Sequence, residues 1–233
     1  MRSRARVGAT AITIAALALW VTGGGAALAG LVRLSGETQP VIGGTPPACA
    51  LANVPAPHRG QAEWARTILD TTFTLGAGYV PLDLVPVAEA GVAGRGKVRS
   101  VVIADLWAMA RAAGGAGSRI SVDSAYRSYA DQLATFDSYE AAYGTDEAIR
   151  SVARAGHSEH QLGTTIDVAG DLDWLADNAW RYGFVMSYPA DASPDRTCYK
   201  PEAWHYRYVG RATAAAVHRS GLSLREWLWA QGS

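Results

Sequence analysis

The segment Gly156–Val168, GHSEHQLGTTIDV, gathers two of the chain's five histidines and two carboxylates within thirteen residues. Neutral imidazoles and carboxylates are what a zinc ion takes as ligands, with one coordination position left open when the ion is catalytic. His160 and Asp167 stand seven residues apart, and Gly163 between them permits a turn. His160 can then close one segment while Asp167 sits on the strand that follows, both facing one point. The third ligand has to come from elsewhere. Downstream, PEAWHYRYVG sets Glu202 and His205 three residues apart. His205 can supply that ligand, and Glu202 then lies where a base for a metal-activated water is needed. The zinc patterns H-E-x-x-H and H-x-x-E-H are both absent; His157-Ser158-Glu159-His160 misses the second by one residue. Each residue also has a plainer reading, since histidines commonly serve as structural hydrogen-bonders. His157 is read as a neighbour of the ligand set and not a member of it.

The elements that must hold these side chains follow from periodicity. Apolar spacing at Val102, Leu106, Met109 and Ala113 predicts a helix over Val98–Ala113, stopped by the glycines that follow. Alternation at Ile120 and Val122 predicts a strand. Helices are expected over Gln61–Thr72, Tyr129–Tyr143, Asp146–Arg154, Trp174–Arg181, Arg211–Arg219 and Ser223–Gln231, with Asp171 or Asp173 and Ser223 as caps. The β-branched Thr164–Val168, the run Gly183–Met186 and the aromatic Trp204–Val209 read as strands. On the last of these, Trp204, Tyr206 and Tyr208 share one face and are read as core. Helices and short strands without a regular β-α-β rhythm point to an α+β fold with a mostly antiparallel sheet flanked by helices.

At 233 residues, 49% hydrophobic, the chain has material for one well-packed domain. Its 21 basic and 21 acidic residues cancel, which argues against a nucleic-acid partner held by a basic surface. The N-terminus carries Arg2, Arg4 and Arg6, then a run from Val7 to Val32 without charge, with Ala27-Leu28-Ala29 fitting a small-x-small cleavage site. Residues 1–33 therefore read as a signal peptide or an N-terminal membrane anchor. Both place the remainder outside the cytoplasm, secreted or tethered to the outer face of the membrane. Residues 34–60, rich in Pro, Gly and Thr, read as a linker, and residues 61–233 as the functional domain. The two cysteines, Cys49 and Cys198, are expected to form a disulfide in such a compartment.

Three blocks in order, SAYRSYADQ (Ser124–Gln132), GHSEHQLGTTID (Gly156–Asp167) and EAWHYRYVG (Glu202–Gly210), resemble the VanY-like zinc D-alanyl-D-alanine carboxypeptidases, whose fold is shared with hedgehog signalling domains. The likeness extends over roughly residues 62 to 230. It implies a hedgehog/DD-peptidase-like fold and a Zn2+ ion held by His160, Asp167 and His205. It implies Glu202 as catalytic base and Arg127 beside the substrate carbonyl or terminal carboxylate. Gln132, Ser158 and Tyr188 correspond to substrate-contact positions. The implied substrates are peptidoglycan stem peptides losing a terminal D-alanine or related residue, and the protein is read as a monomer. A wall endopeptidase of the same family and a non-catalytic zinc-containing binding module are the alternatives. Ala203 stands where the family usually has proline, and Thr164-Thr165 where it often has a small apolar pair; neither change touches a ligand or the base. A serine enzyme of the S-x-x-K kind is excluded, because neither Lys97 nor Lys200 has a serine three residues before it.

Overall fold

The computed structural model describes residues 44–232. The signal or anchor segment 1–33 and the first part of the linker lie outside the described residues. No helix among the described residues is long and apolar enough to cross a membrane.

In chain order the strands are β1 Val54–Pro55, β2 Phe73–Thr74, β3 Leu84–Pro86, β4 Ala93–Gly94, β5 Lys97–Arg99, β6 Ile120–Ser124, β7 Thr165–Gly170, β8 Phe184–Met186 and β9 His205–Tyr208. The helices are α1 Ser100–Gly115, α2 Tyr129–Tyr143, α3 Thr145–Ser151, α4 Leu172–Asn178, α5 Pro194–Thr197, α6 Arg211–Ser220 and α7 Leu224–Ala230. The principal sheet runs β4-β6-β7-β9-β8, antiparallel except for the parallel β4–β6 pair. Two small two-stranded sheets, β1–β2 and β3–β5, lie apart from it. This is the expected α+β architecture.

One core lies between α1 and the sheet. Val102, Leu106, Met109 and Ala113 form a single buried stripe on the helix, as a spacing of three and four residues requires. Val102, Leu106 and Met109 pack with Val122, Ile166, Val168, Phe184, Tyr206 and Tyr208. A second core joins Ile68, Leu69, Phe73 and Leu162 to Val217, Leu228 and Trp229 of the C-terminal helices. The arginine side of that junction is an ion pair: Arg225 Nε donates to the buried Asp70 carboxylate at 2.6 Å.

The helix expected over Gln61–Thr72 is not formed; the segment runs as turns into an extended stretch. Its apolar residues Ile68 and Leu69 are buried all the same. Asp70 decides the outcome, because its Oδ1 accepts the N–H groups of Thr72 and Phe73 at 2.7 and 2.8 Å. A short acidic side chain that captures following amides builds a turn in place of a helix. The face expected to be wholly core is also split: Tyr206 and Tyr208 are buried, but Trp204 is 46% exposed. Trp204 lies in the turn before β9, so strand alternation does not reach it.

The segment after the described chain's start is extended and bound to the body. Ala52 and Val54 N–H groups donate to Thr71 and Thr72 carbonyls at 3.2 and 2.9 Å. Cys49 and Cys198 are joined in a disulfide with Cα atoms 5.4 Å apart.

At the opposite end Ser223 caps α7 in a capping box with Glu226. Glu226 also takes a bidentate pair from Arg196, 2.8 Å to Nε and 2.6 Å to the terminal nitrogen. Those bonds to Arg196, with burial opposing and Ser223 assisting, hold the Glu226 carboxyl down at about 2. A depressed folded-state pKa stabilises above the unfolded value near 4.5 and loses that contribution as pH falls toward 2. Arg196 is partly exposed, so the contribution is about 1 kcal/mol. In urea titrations the wild type is expected to exceed Glu226→Gln at pH 7 by that amount, and the gap is expected to close between pH 4.5 and 2. A gap independent of pH would show that the pair carries none of the stability.

Candidate metal centre

The sheet register builds the site. Ser124 on β6, Asp167 on β7 and His205 on β9 are direct neighbours across three adjacent strands. A register shift between Val122 and Ser124 brings Ser124 into that row. His160 enters from a 3-10 turn, Glu159–Leu162, which Ser158 caps by accepting the His160 N–H. Gly163 ends the turn at φ 71°, a left-handed conformation that costs a residue with a β-carbon. A Cβ there would also meet Leu84 Cδ2 and Pro81 Cγ at 3.0 Å and Arg99 Cγ at 3.1 Å. Gly163→Ala is therefore expected to destabilise by about 2–4 kcal/mol from backbone conformation and crowding together. A chemical-unfolding midpoint unchanged from wild type would refute this account of the turn.

One nitrogen or oxygen from each of His160, Asp167 and His205 lies within 4.8 Å of the other two. His160 Nε2 is 3.3 Å from Asp167 Oδ2, and His205 Nδ1 is 3.3 Å from Asp167 Oδ1. The far nitrogens fix the tautomers. His160 Nδ1 donates to the Ala125 carbonyl at 2.7 Å, which leaves the Nε2 lone pair aimed inward. His205 Nε2 donates to Glu159 Oε2 at 3.1 Å, which leaves its Nδ1 lone pair aimed inward. Supporting bonds of this kind orient histidines that bind metals.

Three observations fit a cation among these atoms. The buried Asp167 Oδ1 has no hydrogen-bond partner. His205 Nδ1 faces two carboxylates, Asp167 and Glu202, each 3.3 Å away. Burial opposes charge on His205, but the Asp167 and Glu159 carboxylates beside its two ring nitrogens, with Glu202 nearby, outweigh it and raise its pKa to about 10. The pocket is thus built to hold positive charge. Burial lowers the pKa of His160, against the pull of Asp167, which keeps it neutral and able to ligate. For Asp167 burial is overcome by the two histidines, which hold it far below the ordinary carboxylate range. Two imidazoles and a carboxylate suit zinc among the common divalent ions.

Around this trio lies a cleft of about 560 Å³ lined by Arg127, Gln132, Ser158, Tyr188, Glu202 and Trp204, among others. Glu202 is driven up in pKa chiefly by burial, with His205 opposing and Asp167 and Glu159 reinforcing. Arg127 is held by Ser124 Oγ and Gln132 Oε1, each at 3.0 Å, and stands 3.8 Å from Asp167. Gln132 is buried and also donates to the Ala153 carbonyl, so it anchors Arg127 from within the cleft wall. The Tyr188 ring lies 4.8 Å from that of His205. The structure thus brings every sequence-selected cleft residue to one place. His157 is elsewhere: its ring nitrogens bond the Asp70 carbonyl and Asn53 Oδ1, at 2.7 and 3.0 Å, so it ties segments together and does not support the metal ligands.

Sequence reasoning missed Glu159, Arg207 and Ser187. Glu159 is buried and accepts from Ser187 Oγ at 2.6 Å and Arg207 at 2.9 Å as well as from His205. Arg207 is fully buried. A usable signal existed, since Arg207 is two residues beyond His205 and so shares its face of β9.

The VanY family profile, described as D-alanyl-D-alanine carboxypeptidase, matches residues 95–211, a span holding every residue of the trio and Glu202. The chain belongs to the VanY family. Among curated VanY relatives, YodJ of Bacillus subtilis (strain 168) is 32% identical over 180 residues, covering 69% of this chain and 65% of YodJ. A D-alanyl-D-alanine carboxypeptidase of Enterococcus faecalis (strain ATCC 700802 / V583) is 39% identical over 99 residues, covering 39% of this chain and 37% of that protein. The chain thus spans no more than about two thirds of either. Among solved structures, the LdcB LD-carboxypeptidase superposes with TM-score 0.63 at 31% identity, over 69% of this chain and 83% of LdcB. A variant of the vancomycin-resistance D,D-pentapeptidase VanY in complex with Zn(II) gives TM-score 0.63 at 29% identity, over 71% and 99% of the two chains. VanYB in complex with D-alanine-D-alanine gives 0.61 at 30%, over 71% and 97%. These likenesses agree with the hedgehog/DD-peptidase-like architecture.

Proposed function

We propose that the protein is a zinc carboxypeptidase that removes the terminal D-alanine, or a related residue, from peptidoglycan stem peptides outside the cytoplasm. The observation carrying this reading is the convergence of His160, Asp167 and His205 with a fourth, acidic side chain, Glu202, at the same point. Zinc bound to the trio supplies a Lewis acid and lowers the pKa of water. Glu202, raised in pKa by burial, takes the proton from the attacking water and returns it to the leaving amine. Arg127 presents a planar pair of donors at the cleft, matched to the free carboxylate at a peptide's C-terminal end or to the charge developing on the scissile carbonyl. Gln132 and Ser124 hold that guanidinium in place. Ser158 and Tyr188 line the substrate's path. A catalytic acid poised beside the ligands is what a pure binding module would not need.

The test is metal analysis with amino-acid release from pentapeptide and tetrapeptide stems, with and without a chelator. Released D-alanine that disappears on metal removal and returns with zinc supports the carboxypeptidase. Cleaved cross-links without free amino acid would assign the endopeptidase, and bound zinc with no hydrolysis would assign the binding module.

A further inference from the structure

The Cys49–Cys198 bridge lies in a small apolar cluster with Tyr188 and Tyr199, against which Ala153 packs. Contacts lead from this cluster to both reactive ends of the cleft. Toward the base, the Tyr199 ring meets Tyr188 edge-on at 5.4 Å, and the Glu202 N–H donates to the Tyr188 carbonyl at 2.9 Å. Toward the guanidinium, Gln132 Nε2 donates to the Ala153 carbonyl at 2.5 Å while Gln132 Oε1 accepts from Arg127 at 3.0 Å. Residues 198–202, which carry Glu202, belong to no helix or strand. Their backbone anchors are few: Cys198 N–H to the Pro194 carbonyl, Lys200 N–H to the Arg150 carbonyl, Thr197 Oγ1 to the Tyr199 carbonyl at 2.9 Å, His205 N–H to the Glu202 carbonyl at 3.3 Å, and the Glu202 bond already named. Cys198 itself sits at φ 70°, which residues with a β-carbon seldom adopt. On the other side of the bridge, Ala50 and Ala52 N–H groups fix the strap that bears Cys49 to Thr72 and Thr71.

We propose that the Cys49–Cys198 disulfide is a positioning element of the peptidase centre: it holds the 198–202 loop so that Glu202, and through Ala153 and Gln132 also Arg127, stand at working distance from the metal ligands. The proposal rests on the zinc-peptidase reading and deepens it. Displacing a catalytic group by about 1 Å can cost up to about 10²-fold in rate, so the loss of a loop anchor four residues from the base is consequential.

The experiment compares the oxidised, zinc-loaded full chain with the same protein treated with a trialkylphosphine. The phosphine takes oxygen from one water and becomes the oxide, and the bridge becomes two thiols. Thiol count, near-UV circular dichroism, kcat on a D-alanine-terminated stem and amide hydrogen exchange are followed well below the unfolding midpoint. Expected are two thiols, retained dichroism, a kcat at least about tenfold lower, and faster exchange at Lys200 and Glu202 with Ile166 and Tyr206 unchanged. Cys49→Ser/Cys198→Ser is expected to reproduce the reduced protein. Unchanged kcat and exchange after complete reduction would overturn the proposal. So would dichroism and activity falling in parallel, which would make the bridge a staple of the fold alone. Should the oxidised protein hydrolyse no stem peptide, the functional reading fails, while the exchange comparison still decides the positioning claim.

Discussion

Glu202→Gln is expected to lower the rate of D-alanine release by about 10²–10⁴-fold, the usual contribution of a positioned acid–base group. The substitution keeps the shape of the side chain and its place beside His205. It removes the one property the mechanism needs, the ability to accept a proton. At about 1.4 kcal/mol per tenfold, the loss corresponds to about 3–6 kcal/mol of transition-state stabilisation. Zinc content is expected to stay at one ion per chain, because Glu202 lies outside the trio of candidate ligands. The two measurements together separate causes. Low activity with full zinc identifies the base, whereas low activity with lost zinc would mean that Glu202 is itself a ligand. Activity within a few-fold of wild type would remove Glu202 from the mechanism.

The second large effect belongs to Glu159. Burial disfavours its charge, but Arg207, His205 and Ser187 overcome that and hold its pKa at about 2. Its partners are as deeply buried as it is, with Arg207 at 0% exposure. Removing one member of such a pair leaves an uncompensated charge in the interior and costs about 3–5 kcal/mol. Glu159→Ala is therefore expected to lose about that much unfolding free energy in urea. It is also expected to bind zinc about 10–100-fold more weakly, since His205 loses the acceptor that fixes its tautomer. Zinc competition with a chromophoric chelator reads the second quantity, and Glu159→Gln, which restores an acceptor without charge, should fall between. Full zinc affinity in the alanine variant would show that His205 is oriented by the sheet alone.

Much of this arrangement was legible in the residue order. The spacing of Val102, Leu106, Met109 and Ala113 predicts α1, and Ser223 with Glu226 predicts the start of α7, because stripes and caps are local properties. The gathering of His160, Asp167 and His205 was legible for a different reason: a glycine between the first two allows one turn, and the strand character of the other segments allows a row across the sheet. The segment Gln61–Thr72 was not, since the helical spacing of its apolar residues is outweighed by the Asp70 carboxylate bonding to Thr72 and Phe73 amides. The Glu159–Arg207 pair escaped because charges are ordinarily placed at the surface, and the one hint was the two-residue spacing that sets Arg207 on the same face of β9 as His205. Gln132, selected as a substrate contact, is placed in the structure as an anchor for Arg127. That anchoring depends on Ala153, twenty-one residues away in the chain.

The order of the principal sheet has a consequence for handling of the protein. Its outermost members, β4 and β8, are two and three residues long, while the six-residue β7 lies at the centre. A stub of two or three residues offers a foreign strand too few free amides and carbonyls to nucleate edge-to-edge growth. Concentrated preparations should therefore resist fibril formation, and a chain folding in a crowded compartment meets its neighbours with little ladder for them to extend.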